Sequence, residues 1–311
     1  MQSSYLFANE LRVHYLHWNL GEDGQAVVLL HGLASNARIW ELVAPHLVQA
    51  GLVPLAPDLR GHGLTDKPDG DYGFETYFHD LAAWIDAWHL ERPLLVGHSW
   101  GAMVALDYAA RFPFGPRTPA GVVLVDGGML QMDDAPGANW EETRERLTPP
   151  KLAGLPLKKF LGWMNDPGRS WRPDEKALAI ILANFEITEE IPAATAGNNP
   201  VETGAGEEIE VIRPHLSFEH HMQIVRAMWE FKTYERFARL RCPVWMIPAR
   251  PPEPHAEGEH QFLAFKEKGI ARAQEEIPNL QVHWMRDSIH DIPLQHPAEL
   301  ARLISDFSAS L

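Results

Sequence analysis

A single cysteine, Cys242, occurs in 311 residues, which excludes a disulfide within the chain and a metal cluster held by several thiolates. It precedes the apolar run Pro243 to Ile247 and is expected as a buried thiol at the start of a strand. No stretch approaches the roughly eighteen apolar residues that a membrane-spanning helix needs. The first residues, MQSSYLFANELRV, lack a basic segment followed by an apolar one, so the expectation is a soluble, cytoplasmic protein. Clusters of Lys and Arg are missing too. With 27 of them against 42 Asp and Glu the net charge is −15, which argues against nucleic acid and anionic membrane surfaces as partners. A small-molecule substrate is the expected partner, and oligomeric state stays open. No internal repeat and no long low-complexity segment is present.

What the chain does have is a regular succession of short aliphatic runs and amphipathic segments. With 45% hydrophobic residues it can bury a large core, and one α/β domain with an insertion accounts for its length. Residues 5 to 18 alternate as paired edge strands around a turn at Asn9. Val27 to Leu30, Leu52 to Ala56, Pro93 to Val96 and Gly121 to Val125 are apolar runs short enough for strands buried on both faces. Between them the spacing predicts helices over 36–50, with a kink at Pro45, and over 74–90, where Phe74, Phe78, Leu81, Ile85 and Trp88 form one stripe. Strand and helix in alternation imply a mostly parallel sheet with helices on both faces. From 133 to 240 no comparable strand is evident, and helices are expected over 175–186 and 218–240 with a polar loop from Ala193 to Glu208 between them. The sheet resumes at Pro243, passes a Pro- and Glu-rich loop and a helix to Ile277, and ends with a strand at Val282 to Met285 and a helix from Pro297.

The densest chemical signal is VGHSWGA, residues 96 to 102, where a strand must turn into a helix within three residues and Ser99 sits at the bend. Gly97 and Gly101 flank it because so sharp a turn leaves no room for neighbouring Cβ atoms. This strand, G-x-S-x-G and helix arrangement resembles the nucleophile elbow of the α/β-hydrolase superfamily. HGL at 31 to 33 and PDLRGHGLTDKP at 57 to 68 also look like that superfamily's pattern. The resemblance implies an α/β-hydrolase core over 1–132 and 241–311 and a helical cap over 133–240, inserted after the sixth strand. It further implies an oxyanion hole built from the amides of Leu33 and Trp100. His31 then braces its loop, and Asp58, Arg60 and His62 stabilise a Gly-rich loop.

A serine hydroxyl needs a base within hydrogen-bond reach and a carboxylate to orient that base. In the superfamily's order of serine, acid and histidine, His290 in RDSIHDIPLQHP fits the base, because it lies between the last strand and the C-terminal helix. The acid stays open between two positions. In the loop after the seventh strand, PARPPEPHAEGE, prolines 251 and 252 stand where an aspartate is usual and Glu253 is the nearest carboxylate. Asp126, followed by two glycines at the end of the sixth strand, is favoured over it because it faces the same crevice as Ser99. Against this reading, Asp126 can equally be a loop-capping residue.

The resemblance implies ester cleavage of a small, largely apolar substrate through an acyl-enzyme, with no metal or organic cofactor. Trp140, Trp163, Trp171, Trp229, Met164, Met222 and Met228 are candidates for an apolar pocket, although packing of small helices explains most of them equally well. Lactonases and carbon–carbon bond hydrolases of ring-cleavage diketones share the same three residues and remain alternatives, as does a non-catalytic ligand receptor on the same fold. Dehalogenases and epoxide hydrolases need an aspartate where Ser99 stands. The EHH at 219 to 221 reads as a polar helix face, since adjacent helical residues point about 100° apart and do not converge on a metal.

Overall fold

The computed structural model describes residues 1–135, 137–190, 208–254 and 257–311. The chain opens with an antiparallel hairpin, β1 (Gln2–Ala8) and β2 (Leu11–His17), turning at Asn9 and Glu10, both at positive φ. There follow β3 (Ala26–Leu30), a short 3-10 turn at Ala37–Trp40, α1 (Ala44–Gln49), β4 (Val53–Pro57), α2 (Phe74–Ala87), β5 (Leu94–His98), α3 (Trp100–Arg111) and β6 (Gly121–Val125). The inserted segment holds α4 (Trp140–Leu147), β7 (Leu155–Pro156), α5 (Leu157–Met164), α6 (Glu175–Leu182), β8 (Phe185–Glu190), β9 (Ile209–Pro214), α7 (Phe218–Glu230) and α8 (Thr233–Phe237). The chain then completes β10 (Val244–Ile247), β11 (Ala249–Arg250), α9 (Glu257–Glu276), β12 (Leu280–Val282), β13 (Met285–Arg286), α10 (Ile292–Gln295) and α11 (Pro297–Ala309).

Eight strands form the main sheet in the order β1-β2-β4-β3-β5-β6-β10-β12, with β4 through β12 parallel. The central strands are mostly apolar because both faces are covered. Alternate residues go to opposite layers, as the two-residue period of a strand demands. Val28, Leu30, Val122, Leu124, Val244 and Met246 join α2, α3, α8 and α9 on one face. Val27, Leu29, Val123, Val125, Trp245 and Ile247 meet α1 and α11 on the other. Each such side chain contributes roughly 1.5–3 kcal/mol on burial, so register in the sheet is strongly fixed. Cys242 is buried just before β10, as expected.

Several segments depart from the sequence reading, among them the helix expected over 218–240, which is the two helices α7 and α8, and the last strand expected at Val282 to Met285, which is the two short strands β12 and β13. The expected helix over 36–50 is a 3-10 turn and a six-residue helix, because Pro45 falls in the first turn of α1 and starts that helix instead of kinking a longer one. The inserted segment is not purely helical, for β7, β9 and β8 form a three-stranded antiparallel sheet. The helix expected to reach Glu186 therefore ends at Leu182. The expected polar loop at 193–208 lies, up to residue 207, outside the described residues. Among the described residues no helix is long and apolar enough to cross a membrane.

Candidate active site

The parallel strands end together at one edge of the sheet, and the candidate residues leave the chain there. Ser99 follows β5 directly and starts α3 with φ 56° and ψ −121°, a conformation that L residues rarely adopt. Its N–H donates to the Val125 carbonyl at 2.9 Å, which ties the elbow to the end of β6. Close approach explains the flanking glycines, since a Cβ at 97 would run into the carbonyl of Gly101, and one at 101 into that of His31. One strand over, Asp126 leaves β6, also at positive φ (42°), with its N–H bonded to the Ile247 carbonyl.

These placements bring three side chains into one hydrogen-bonded chain. His290 Nε2 lies 2.8 Å from Ser99 Oγ, and His290 Nδ1 lies 2.6 Å from Asp126 Oδ2. Glu253, the other candidate acid, is exposed on the loop before α9 and is not a partner of His290. Asp126 is used by more than the histidine. Its Oδ1 accepts from the Ala249 N–H at 2.8 Å and from the Lys266 ammonium at 2.7 Å. Burial alone would push the Asp126 carboxyl up, but the His290 hydrogen bond and the Lys266 charge overcome it and hold the pKa down at about 2. Loss of solvation works to lower the His290 pKa, and the Asp126 hydrogen bond and charge outweigh it, so the net displacement is upward. Half of the imidazole side chain (54%) stays open to solvent.

Two groups near this chain were not singled out from the sequence. Lys266, only 5% exposed, belongs to α9. His98, buried immediately before Ser99, donates from Nε2 to the His290 carbonyl at 2.9 Å and lies ring to ring with His290 at a centroid distance of 4.9 Å. Burial, and then the neighbouring His290, push the His98 pKa down to about 4.

The loop after β3 presses against the elbow. Gly32 is so close that a Cβ there would meet Ser99 Cβ at 3.1 Å. His31 bridges this loop to the next, with Nδ1–H donating to the Gly32 carbonyl and Nε2 accepting from the Leu59 N–H. Asp58 accepts from the amides of Ala37 and Leu64 and from His14. Arg60 holds Asp80 through two hydrogen bonds, while His62 stacks on Trp100. The histidines of EHH diverge as expected: His220 stacks on Tyr72 and His221 bonds the Leu147 carbonyl. Among the described residues no group of His, Cys, Asp and Glu is arranged to hold a metal.

Residues 27–303 match the family model described as the alpha/beta hydrolase family. The chain belongs to that family. An uncharacterized protein of Mycobacterium tuberculosis is 38% identical over 116 residues, 37% of this chain and 33% of that protein, so the match spans a third of this relative's length. The 2-hydroxy-6-oxo-2,4-heptadienoate hydrolase of Pseudomonas putida is 40% identical over 123 residues, 38% of this chain and 43% of its own. The solved structure of an E-2-(acetamidomethylene)succinate hydrolase superposes with a TM-score of 0.70 at 19% identity, covering 99% of both chains, and shares the fold.

In this alpha/beta hydrolase, Ser99 and His290 open into a cavity of about 610 Å³. Its walls include Met103, Met129, Met132, Met228, Phe262 and Leu263, with Asp126, Arg146, Glu259 and Lys266 as charged groups. Of the seven Trp and Met residues expected as pocket lining, Met228 alone is in this wall. Trp163 is half exposed, and Met164 and Trp171 flank a separate, smaller cavity. Most of the rest of the apolar lining comes from α3, from the segment after β6 and from α9.

Proposed function

We propose that this alpha/beta hydrolase cleaves carboxylic esters of small, largely apolar substrates through an acyl-enzyme on Ser99. The observation that carries the reading is the unbroken chain from Ser99 Oγ through His290 to Asp126 at the mouth of an apolar cavity. His290 takes the hydroxyl proton as Ser99 Oγ attacks the carbonyl carbon, and Asp126 holds the ring in the tautomer that leaves Nε2 free to accept. The amides of Leu33 and Trp100 receive the oxyanion, the second at the N-terminus of α3, where the helix dipole adds positive potential. Collapse of the intermediate expels the alcohol, protonated by His290. Water, deprotonated by the same imidazole, then releases the acid and restores the serine. Residues 133–240 act as a cap over a core of 1–132 and 241–311, since Arg146 and Leu147 of α4 and Met228 of α7 supply part of the cavity wall.

The test is a fluorophosphonate probe followed by an ester panel. Native protein should gain one probe mass per chain and Ser99→Ala none, with ester turnover in that variant down by about 10⁶-fold. A ligand receptor with an idle site would show no mass shift. The similarity to the Pseudomonas putida hydrolase favours a second reading, carbon–carbon cleavage of a vinylogous diketone at the same serine. Assaying esters, lactones and such diketones side by side separates the two, and fast diketone turnover beside negligible ester cleavage would replace the first reading with the second.

A further inference from the structure

Along α9 the residues Leu263, Lys266, Ile270 and Ala273 are all buried and recur at steps of three and four, the spacing of a helix's inner face. A lysine on that stripe has no packing reason to be there, because an unbranched apolar residue would fill the same space without the cost of burying a charge. Its ammonium lies 2.7 Å from Asp126 Oδ1, 3.1 Å from the Ala249 carbonyl and over the Phe262 ring at 5.0 Å. We propose that Lys266 is a positioning residue of the active site, one that locks the Asp126 carboxylate with Oδ2 toward His290 and carries a balancing positive charge beneath the pair. This rests on the serine-hydrolase reading above.

The chemical consequence concerns the basicity of His290. The imidazole is faced by Asp126 from the end of β6, by His98 from β5, by its chain neighbour Asp291 and, beyond the carboxylate, by Lys266 from α9. Asp126 and Asp291 favour the imidazolium. Lys266 opposes it. An imidazolium cannot accept the serine proton, so a buried cation behind the carboxylate extends the working range of the base toward lower pH.

Lys266→Gln removes the charge while leaving a donor within the same pocket, and Lys266→Arg keeps the charge. The probe is the fluorophosphonate, with the rate of Ser99 labelling followed against pH. In parallel the His290 imidazole is titrated by ¹⁵N NMR, its resonance assigned by difference from His290→Gln. Both midpoints should rise by about one pH unit in Lys266→Gln, a tenfold loss of labelling rate on the acid limb. Lys266→Arg should stay near the wild-type midpoint. A Lys266→Gln midpoint that is unchanged or lower would overturn the proposal and reduce the lysine to a packing element. A shifted NMR midpoint in a protein whose Ser99 is never labelled would uphold the coupling between Lys266 and His290 while bringing down the nucleophile reading.

Discussion

At Asp126 the two oxygens of one carboxylate have separate duties, Oδ2 toward His290 and Oδ1 toward an amide and an ammonium. Exchanging it for Asn replaces one acceptor oxygen with an NH₂ group. Lys266 loses its counter-charge whichever way the amide turns, and in addition either His290 Nδ1 faces a donor and the ring takes the unproductive tautomer, or the Ala249 N–H and Lys266 ammonium face one. Asp126→Asn should therefore lower kcat/KM by about 10⁴-fold, whereas Glu253→Gln, at an exposed position, should leave it within about twofold. Steady-state kinetics on the best ester of the panel check both, and a crippled Glu253→Gln beside an active Asp126→Asn would refute the assignment of the acid. Ser99, His290 and Asp126 could be read as candidates from the sequence because each sits at a strand end or loop that the topology fixes. Lys266 could not be read from a motif. Its signal was a charge on the apolar stripe of a helix, and such a residue is identified only once its partner, 140 positions away, is known to face it.

The ends of β5 and β6 are held side by side by parallel pairing from Leu94 with Gly121 to His98 with Val125. Past this ladder the two turns interlock, for a Cβ at Gly127 would overlap the backbone of Ser99. Gly127→Ala must push the β6 turn away from the elbow and should cost about 1–3 kcal/mol of stability, with a larger loss in activity than in folding because both Ser99 and Asp126 move. Denaturant unfolding together with the labelling rate measures the two effects, and an alanine variant of wild-type activity would show that the turns are not coupled. At this scale the short apolar strands and the α2 stripe were legible because burial on both faces, or a 3.6-residue period, leaves a local pattern. The small sheet of the inserted segment was not. In β8 the alternation of Phe185 and Ile187 gives way to Glu189, so half a strand's face is polar, and its pairing partner β9 lies across the residues that separate them.

For the whole molecule, the histidines buried beneath the site make stability depend on pH. His31, His62 and His98 are all almost fully buried, and burial, as the dominant cause, lowers each pKa below the ordinary 6.5, that of His98 to about 4. The unfolded chain takes up these protons as pH falls below 6.5 and the folded chain refuses them, so stability is full above that pH and drains away on the way down. His98 alone accounts for a loss on the order of 3 kcal/mol by pH 4. Asp126 adds a second stage. Its carboxyl, ordinarily near 3.8, is held at about 2 in the fold, and the stability it contributes is lost as pH falls between those values. His290, with its pKa raised, acts in the opposite sense and gives up a small contribution as pH rises through its folded value, small because half of its side chain is in water. Melting temperatures at constant ionic strength should be level from pH 8 to 6.5 and then descend by several degrees toward pH 4. His98→Asn, which removes one of the titrating rings beside the elbow, should make the descent shallower. A wild-type melting temperature that stays level down to pH 4.5 would mean that these rings are protonated without penalty, and that the layer beneath Ser99 is wetter than their burial indicates.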